Sequence, residues 1–194
     1  MCQIFRLSLL LVAIGSLTQL TGCAVAAGAG IASGAVTVND RRTTGTFIDD
    51  EIIEFKVIDN IRSQPDLWEQ SHVNATSFNN IVLLTGETPS DAFKTRIAGT
   101  AARVVKVRNV HNELAIAAPS SMLARSSDTW LTSKVKATLL SEMQVDGTRV
   151  KVVTEKGVVY LMGLVTHAEA DKATDLTRRV GGVERVVRLF EITQ

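Results

Sequence analysis

The sequence predicts an α+β fold: two tandem copies of one αββαβ unit, each a three-stranded mixed sheet packed on two helices, after a signal segment and a flexible tether. Two observations support this prediction. The second half of the chain repeats the first, because DEIIEFKVIDNIRSQ aligns with DTWLTSKVKATLLSE, VNATSFNNIVLLTGE with VKVVTEKGVVYLMGL, and VRNVHNELAI with VERVVRLFEI. Each copy also changes its apolar spacing in the same order, from helical to β-rich, back to helical, and then to a closing β-rich run.

The N-terminal segment contains an apolar stretch, LSLLLVAIGSL, that follows Arg6. Its eleven residues match the core of a secretory signal peptide and are too few to cross a bilayer as a helix. The segment ends in Leu20-Thr21-Gly22-Cys23, which resembles the lipobox of bacterial lipoproteins. That resemblance implies cleavage before Cys23, a diacylglyceride on its thiol and an N-acyl chain on its new amine. The alternative is an ordinary signal peptide followed by a chance cysteine.

The lipobox makes residues 1–22 the predicted signal peptide and Cys23 a lipid attachment site, and no cofactor is expected beyond these covalent acyl groups. Each buried methylene contributes about 0.8 kcal/mol, so several acyl chains together give stable anchoring. Ala24, rather than Asp, follows the cysteine. By the sorting rule of enteric lipoproteins this implies the outer membrane, with the chain facing the periplasm. Residues 23–46 are rich in Gly and Ala and then polar, which predicts a tether.

The two repeated units are predicted over residues 47–116 and 127–194, with residues 117–126 as a linker that contains Pro119 and several serines. In the second unit Asp128 is the expected N-cap of a helix whose core face carries Leu131, Val135, Thr138 and Leu139. Two β-rich runs flank Lys156-Gly157, a hairpin signal, and Asn79-Asn80 occupies that place in the first unit. The second helix of the second unit is expected to end at Gly181-Gly182.

One strand of the second unit is apolar on both faces. Val158, Tyr160 and Met162 alternate with Val159 and Leu161, and a strand of this kind is usually covered on both sides. Since one helix layer covers only one face, we expect the first unit to cover the other.

The doubled αββαβ pattern, with Gly86 and Gly163 after the second strand of each unit, resembles the BON-domain family. The match covers nearly all of residues 49–193, and with the lipobox and DRRTTGT the chain is similar to the dual-BON outer-membrane lipoproteins of proteobacteria. Val105-Lys106 stands where the second unit has Gly181-Gly182, so we expect the first unit to depart from the usual turn.

Composition and motifs exclude several functions. The net charge of +1 gives no whole-molecule reason to expect nucleic acid as a partner. The three histidines are dispersed without metal-ligand spacing, and no phosphate loop or nucleophile-elbow motif occurs. The run Asp49-Asp50-Glu51 is explained by a helix N-terminus that favours negative charge. We therefore expect neither an enzyme nor a metal site.

A second face of the first helix of the second unit is the candidate binding site. At helical spacing Trp130, Ser133, Lys134, Ala137 and Leu140 lie away from the core-facing residues. A Trp beside a Lys suits a membrane interface, where the ring lies at headgroup depth and the ammonium meets phosphate. The corresponding face of the first unit contains Asp59 and Arg62 in place of Ala137 and Leu140. If either unit binds lipid, it should be the second. The alternative is that Trp130 and Leu140 pack against the first unit or a protein partner.

The family resemblance implies an anionic phospholipid as ligand, phosphatidylglycerol or cardiolipin, enrichment at division sites and a role in outer-membrane integrity. A rival interpretation is an adaptor for the outer-membrane assembly machinery or for regulation of peptidoglycan amidases. A third is a structural stress-response spacer, because BON domains also occur in osmotic-stress proteins.

Overall fold

The computed structural model describes residues 40–118, 121–142 and 146–193. The predicted signal peptide and Cys23 lie outside these residues, as does most of the predicted tether. The helices are α1 Thr44–Arg62, α2 Pro65–Gln70, α3 Asp91–Ala102, α4 Met122–Ser141 and α5 His167–Arg178, with a 3₁₀ turn at Gly147–Arg149. The strands are β1 His72–Phe78, β2 Ile81–Thr88, β3 Asn109–Asn112, β4 Ala115–Ile116, β5 Lys151–Glu155, β6 Val158–Val165 and β7 Arg185–Ile192.

Each domain has one mixed sheet. In the first domain β1 pairs antiparallel with β2, and β2 pairs in parallel with β3 and then with the two-residue β4. In the second domain β5 pairs antiparallel with β6, which pairs in parallel with β7. The predicted αββαβ order is confirmed in both domains, and the first adds α2 and β4 to it.

Both predicted hairpin turns are present. Asn79 and Asn80 have φ angles of 51° and 64°, and Lys156 and Gly157 have 49° and 73°. Positive φ at both central residues is the geometry of the two-residue turn that matches the twist of a hairpin. Asn and Gly tolerate this region well, which explains their occurrence at these positions.

The first helix starts earlier than the sequence analysis placed it. Thr43 is the N-cap of α1, and its hydroxyl accepts a hydrogen bond from the Thr46 backbone N–H at 3.1 Å. The end of the stretch predicted as tether is therefore helical. Ile53, Val57 and Ile61, spaced four residues apart, form the buried face of this helix.

The first helix of the second domain also starts earlier, within the predicted linker. Its N-cap is Ser121, whose hydroxyl accepts from the Ala124 N–H at 3.3 Å, so the prediction of Asp128 as N-cap was wrong. Asp128 lies inside α4 and accepts hydrogen bonds from the N–H groups of Lys156 and Gly157, at 2.8 and 3.0 Å. It binds the hairpin turn of its domain instead of starting a helix.

The turn that follows the second helix is the same in both domains, contrary to the sequence expectation. Lys106 has φ 74° where Gly182 has φ 105°, and the N–H of Val107 bonds to Val104 as that of Val183 bonds to Val180. The ammonium of Lys106 lies 2.7 Å from the Asp49 carboxylate. A lysine therefore occupies the left-handed position that glycine holds in the second domain.

Three groups of apolar residues form the interior. One core lies between α1, α3 and the first sheet, and includes Ile53, Val57 and Leu84. A second lies between α4, α5 and the second sheet, and includes Val135 and Leu161. The third contains residues of both domains, Phe78 and Leu83 with Tyr160 and Met162. The prediction that the first unit covers the second face of β6 is confirmed.

Polar contacts reinforce the contact between the domains. Lys151 lies 2.7 Å from Glu54, Lys156 lies 2.8 Å from the buried Glu87, and Arg108 lies 2.8 Å from Glu191. These ion pairs and the shared apolar cluster both join the two domains.

The segment before α1 contacts both domains. Arg41 donates to Glu169 at 2.8 Å and to the Leu164 carbonyl at 2.9 Å, both in the second domain. Burial opposes ionisation of Glu169, but hydrogen bonds from Thr166 and Arg41 lower its pKa to about 2. The adjacent Arg42 pairs with the buried Asp50 at 2.7 Å and lies over the Phe78 ring in the first domain. The start of the described chain therefore connects the two domains.

Candidate functional site

The predicted binding face of α4 is exposed. Trp130 is 67% exposed and Leu140 is 60% exposed, while Leu131 and Val135 on the opposite side of the helix are buried. At about 100° per residue the two groups lie roughly 180° apart around the helix axis. The first domain therefore does not cover Trp130 or Leu140, which excludes one alternative given by the sequence analysis.

The polar residues of this face already have partners within the domain. The Ser133 hydroxyl donates to the Thr129 carbonyl at 3.0 Å, and the Lys134 ammonium donates to the Gly181 carbonyl. Lys134 thereby joins α4 to the turn that follows α5. An ammonium has three N–H donors, so this contact leaves two of them for an anion.

A groove of about 430 Å³ lies between α4 and α5 beside this face. Lys134 and Ala137 line one side, and Leu176, Arg179 and Val180 line the other. The structure thus places all five predicted residues on one side of α4, and two of them, Lys134 and Ala137, line the groove. Arg179, which the sequence analysis did not single out, borders the groove.

The sequence analysis missed one residue of this surface, Met122. Its side chain is 78% exposed, and at helical spacing it lies on the same side of α4 as Leu140. It was missed because the helix was expected to start at Asp128. The signal for the true start was present in Ser121, a good N-cap residue two positions after Pro119.

The first domain also exposes apolar residues on its first helix. Phe55 is 70% exposed, Ile48 is 52% exposed and Ile52 is 44% exposed, all opposite the buried side of α1. Exposed acidic residues, Glu51 and Asp59, accompany them. The two domains therefore differ in the charge beside their exposed apolar residues, as the sequence predicted.

The acidic run on α1 has a different role from the one predicted. Asp50 lies in the second turn of α1 and is buried. Its carboxylate accepts hydrogen bonds from the Ser77 hydroxyl and from the N–H groups of Asn79 and Asn80, at 2.6 to 2.8 Å. A helix-terminal charge effect does not explain it; Asp50 holds the hairpin turn, as Asp128 does in the second domain.

The described residues hold neither a metal-binding cluster nor a membrane-spanning helix. They contain no cluster of three or more His, Cys, Asp or Glu side chains that could hold a metal ion. None of the helices over residues 40–118, 121–142 and 146–193 is long and apolar enough to span a membrane.

The paired αββαβ domains, with an apolar face left exposed on α4, define a tandem BON-domain protein. The BON domain model matches residues 49–118 and 127–194, and the chain belongs to this family.

Among curated proteins, the chain is 37% identical to "Outer membrane lipoprotein DolP" of Haemophilus influenzae, over 94% of each chain. It is 34% identical to "21 kDa hemolysin" of Actinobacillus pleuropneumoniae, over 80% of each chain. It is 32% identical to "Osmotically-inducible protein Y" of Escherichia coli, over 73% of this chain and 72% of that protein. None of these three names denotes an enzyme.

Proposed function

We propose that this chain is an outer-membrane lipoprotein, anchored through Cys23 and facing the periplasm, that binds anionic phospholipid through α4 of its second BON domain. The name of the Haemophilus relative and the lipobox of the sequence support the location. The observation that carries the lipid-binding proposal is the joint exposure of Trp130 and Leu140 on one side of α4.

The proposed contact follows from the chemistry of that face. The indole of Trp130 suits headgroup depth, where its apolar ring and its N–H donor both find partners. Leu140 and Met122 extend on the same side and add apolar area at the boundary of the acyl chains. Lys134 and Arg179 then lie near the phosphates, and each cation near an anionic surface contributes about 1 kcal/mol. No step of this function requires catalysis.

The acyl anchor determines what the α4 site needs to contribute to membrane binding. In this proposal the acyl chains on Cys23 attach the protein to the membrane. The main contribution of α4 is therefore to select membranes by their lipid composition. A preference for phosphatidylglycerol or cardiolipin would concentrate the protein where these lipids collect, including division sites. The role in outer-membrane integrity belongs to the same proposal.

Vesicle flotation of a fragment spanning residues 40–194 tests this proposal. The fragment lacks Cys23 but contains every helix and strand of both domains and their cores. We expect it to float with vesicles that contain phosphatidylglycerol or cardiolipin and to remain below with phosphatidylethanolamine alone. Trp130→Glu should reduce the floating fraction at least tenfold, because it replaces the indole with a negative charge that faces an anionic surface.

Phe55→Glu is the matched control, since Phe55 is as exposed as Trp130 but lies on the first domain. It should float like the wild type. If the wild-type fragment floats equally with all vesicles or with none, α4 does not recognise anionic lipid. The adaptor for outer-membrane assembly or amidase regulation is then the better explanation of its exposed face.

A further inference from the structure

The first sheet has an edge that is only partly protected. β1 lies at the end of the strand order β1-β2-β3, so no strand of the described residues pairs with its other side. At Ser77 this side is capped, because the Ser77 N–H donates to Glu54 at 2.7 Å and its carbonyl accepts from Lys151 at 3.1 Å. Side-chain caps of this kind are how proteins block the edge of a sheet from further pairing.

The caps stop before the middle of the strand. Alternate residues of a strand direct their backbone groups to the same side, so Ala75 and Val73 point their N–H and C=O groups the same way as Ser77. In the part of the chain that the structure describes, no cap corresponding to Glu54 or Lys151 reaches Ala75. Its small side chain also leaves the backbone open to approach.

Two cavities flank this uncapped part of β1. A cleft of about 770 Å³ lies between β1 and β5, with Trp68 on one side and Val153 on the other. A groove of about 420 Å³ lies towards α1, beside the exposed Phe55. Ile58 and Ala75 line both, so the two cavities meet at the open backbone. A cleft of this size accommodates several side chains.

The inner end of the cleft is acidic. Glu155 is 9% exposed, and it accepts a hydrogen bond from Asn74 across the domain boundary at 3.3 Å. Burial and the nearby carboxylates of Glu87 and Asp128 raise the pKa of Glu155, since each disfavours another negative charge. Lys156 and Arg125 lie in the same region, and His72 lies between Glu87 and the cleft. The three carboxylates outnumber the two permanent cations, so this end suits a basic group.

We propose that this cleft binds an extended polypeptide segment, which adds to β1 as a further strand and places a lysine or arginine side chain towards Glu155. The segment bonds to the backbone of Ala75 and Val73. Its side chains alternate between the two faces of the sheet, so one set packs on Phe55 and Ile58 and the other on Val153. This site lies along β1 at the boundary of the two domains and does not depend on the lipid-binding face of α4.

A second copy of the chain does not fit this edge. Residues of β5 in the second domain form one side of the cleft. The β1 edge of another copy would be recessed in the same way, beside its own β5. Two recessed edges cannot meet, whereas a single extended segment can enter. The acidic end also disfavours an identical acidic end and favours a basic ligand.

The test begins with a displayed library of random twelve-residue peptides, selected against the fragment spanning residues 40–194. We expect the enriched sequences to alternate apolar and polar residues and to contain a Lys or Arg. Binding of one enriched peptide is then measured by fluorescence anisotropy. Ala75→Pro removes the outward N–H while a proline is tolerated at a strand edge, so affinity should fall at least tenfold. Phe55→Ser should also weaken binding, whereas Leu140→Ser, which changes another well-exposed apolar residue, on α4, should not.

Amide hydrogen exchange gives a direct readout of the added strand. Bound peptide should slow exchange of the Ala75 N–H at least tenfold, while the Asn74 N–H, which faces β2, should keep its rate. An unchanged thermal unfolding midpoint, followed by far-ultraviolet circular dichroism, shows that each variant is folded.

Three outcomes overturn the proposal: no sequence is enriched, the enriched peptides bind Ala75→Pro as well as the wild type, or the Ala75 amide gains no protection. A dimer in sedimentation that Ala75→Pro converts to a monomer would also overturn it, because the edge would then belong to a second copy.

Discussion

At the scale of single residues, one carboxylate in each domain holds the hairpin turn, and the two differ in burial. Asp50 is 1% exposed and binds two turn N–H groups, the Ser77 hydroxyl and the guanidinium of Arg42. Asp128 is partly exposed, and its hydrogen bonds to described residues come from two turn N–H groups.

Replacement of these two residues by alanine should therefore have unequal effects on stability. Asp50→Ala leaves Arg42 buried with one partner fewer and several unmet donors, so we expect a loss of about 3–5 kcal/mol in the free energy of unfolding. Asp128→Ala should lower the free energy of unfolding by about 1–2 kcal/mol, because two backbone N–H donors near solvent lose their acceptor. Urea denaturation of both variants measures the difference. Equal losses in the free energy of unfolding would show that the burial of Asp50 and its partners does not contribute to stability.

The sequence predicted the equivalence of these residues but not their role. The repeat alignment placed Asp50 opposite Asp128, and the structure gives both the same function. Local rules interpreted one as a helix-terminal charge and the other as an N-cap, because those rules consider only neighbours along the chain. The true partners lie about thirty residues further on, and only the folded domain brings them into contact. The exposure of Trp130 needed only the helical period, and it could be predicted.

At the scale of elements, the turn after α5 depends on one of its two glycines. Gly182 has φ 105°, further into the positive range than the φ of 74° that Lys106 adopts at the equivalent position, and a Cβ there would lie 3.5 Å from Leu131, an ordinary contact. The cost of Gly182→Ala is therefore backbone strain, about 1–3 kcal/mol.

Gly181→Ala is the control within the same turn. A Cβ at Gly181 would meet nothing within 4 Å, and this residue is not among the positive-φ glycines of the described chain. This variant should be neutral or more stable by up to about 1 kcal/mol, because alanine restricts the unfolded chain. Thermal unfolding of the two variants tests the prediction. If both lose the same stability, the strain at Gly182 does not set the turn.

The order of the elements followed from the sequence, whereas two of their starts did not. Alternating runs around two-residue turn signals predicted both hairpins, and spaced apolar residues predicted the four main helices. The starts of α1 and α4 were placed too late because Thr43 and Ser121 lie in stretches whose composition indicated tether and linker. In both cases the hydroxyl of a single N-cap residue starts the helix, although the surrounding composition indicates a flexible segment.

At the scale of the whole molecule, the two sheets pack face to face through a shared apolar cluster. The two-sided apolar pattern of β6 predicted that its second face is covered. The cleft between β1 and β5 could not be predicted in this way, since it depends on how far the two sheets overlap. Ion pairs between the domains, such as Lys151 with Glu54, contribute to that overlap. The spacing of apolar residues in the sequence does not predict such pairs.

Tyr160, the only tyrosine in the sequence, reports on this packing. Its side chain lies in the shared cluster, and burial, with a smaller contribution from Glu113, raises its pKa to about 12. A raised pKa means that the folded state favours the neutral phenol. Its contribution to stability is therefore complete below about pH 10, the pKa of an unfolded tyrosine, and is lost as the pH rises through about 12.

Absorbance at 295 nm, which follows phenolate formation, should therefore show a midpoint near pH 12 for the intact chain. Leu83→Asp, which places a charge in the shared cluster from the first domain, should separate the sheets and return the midpoint towards 10. Its loss of stability should appear in both domains at once, because each loses the same buried surface. A midpoint near 10 in the wild-type chain would mean that the phenol of Tyr160 is in water, and that the two sheets do not remain packed in solution.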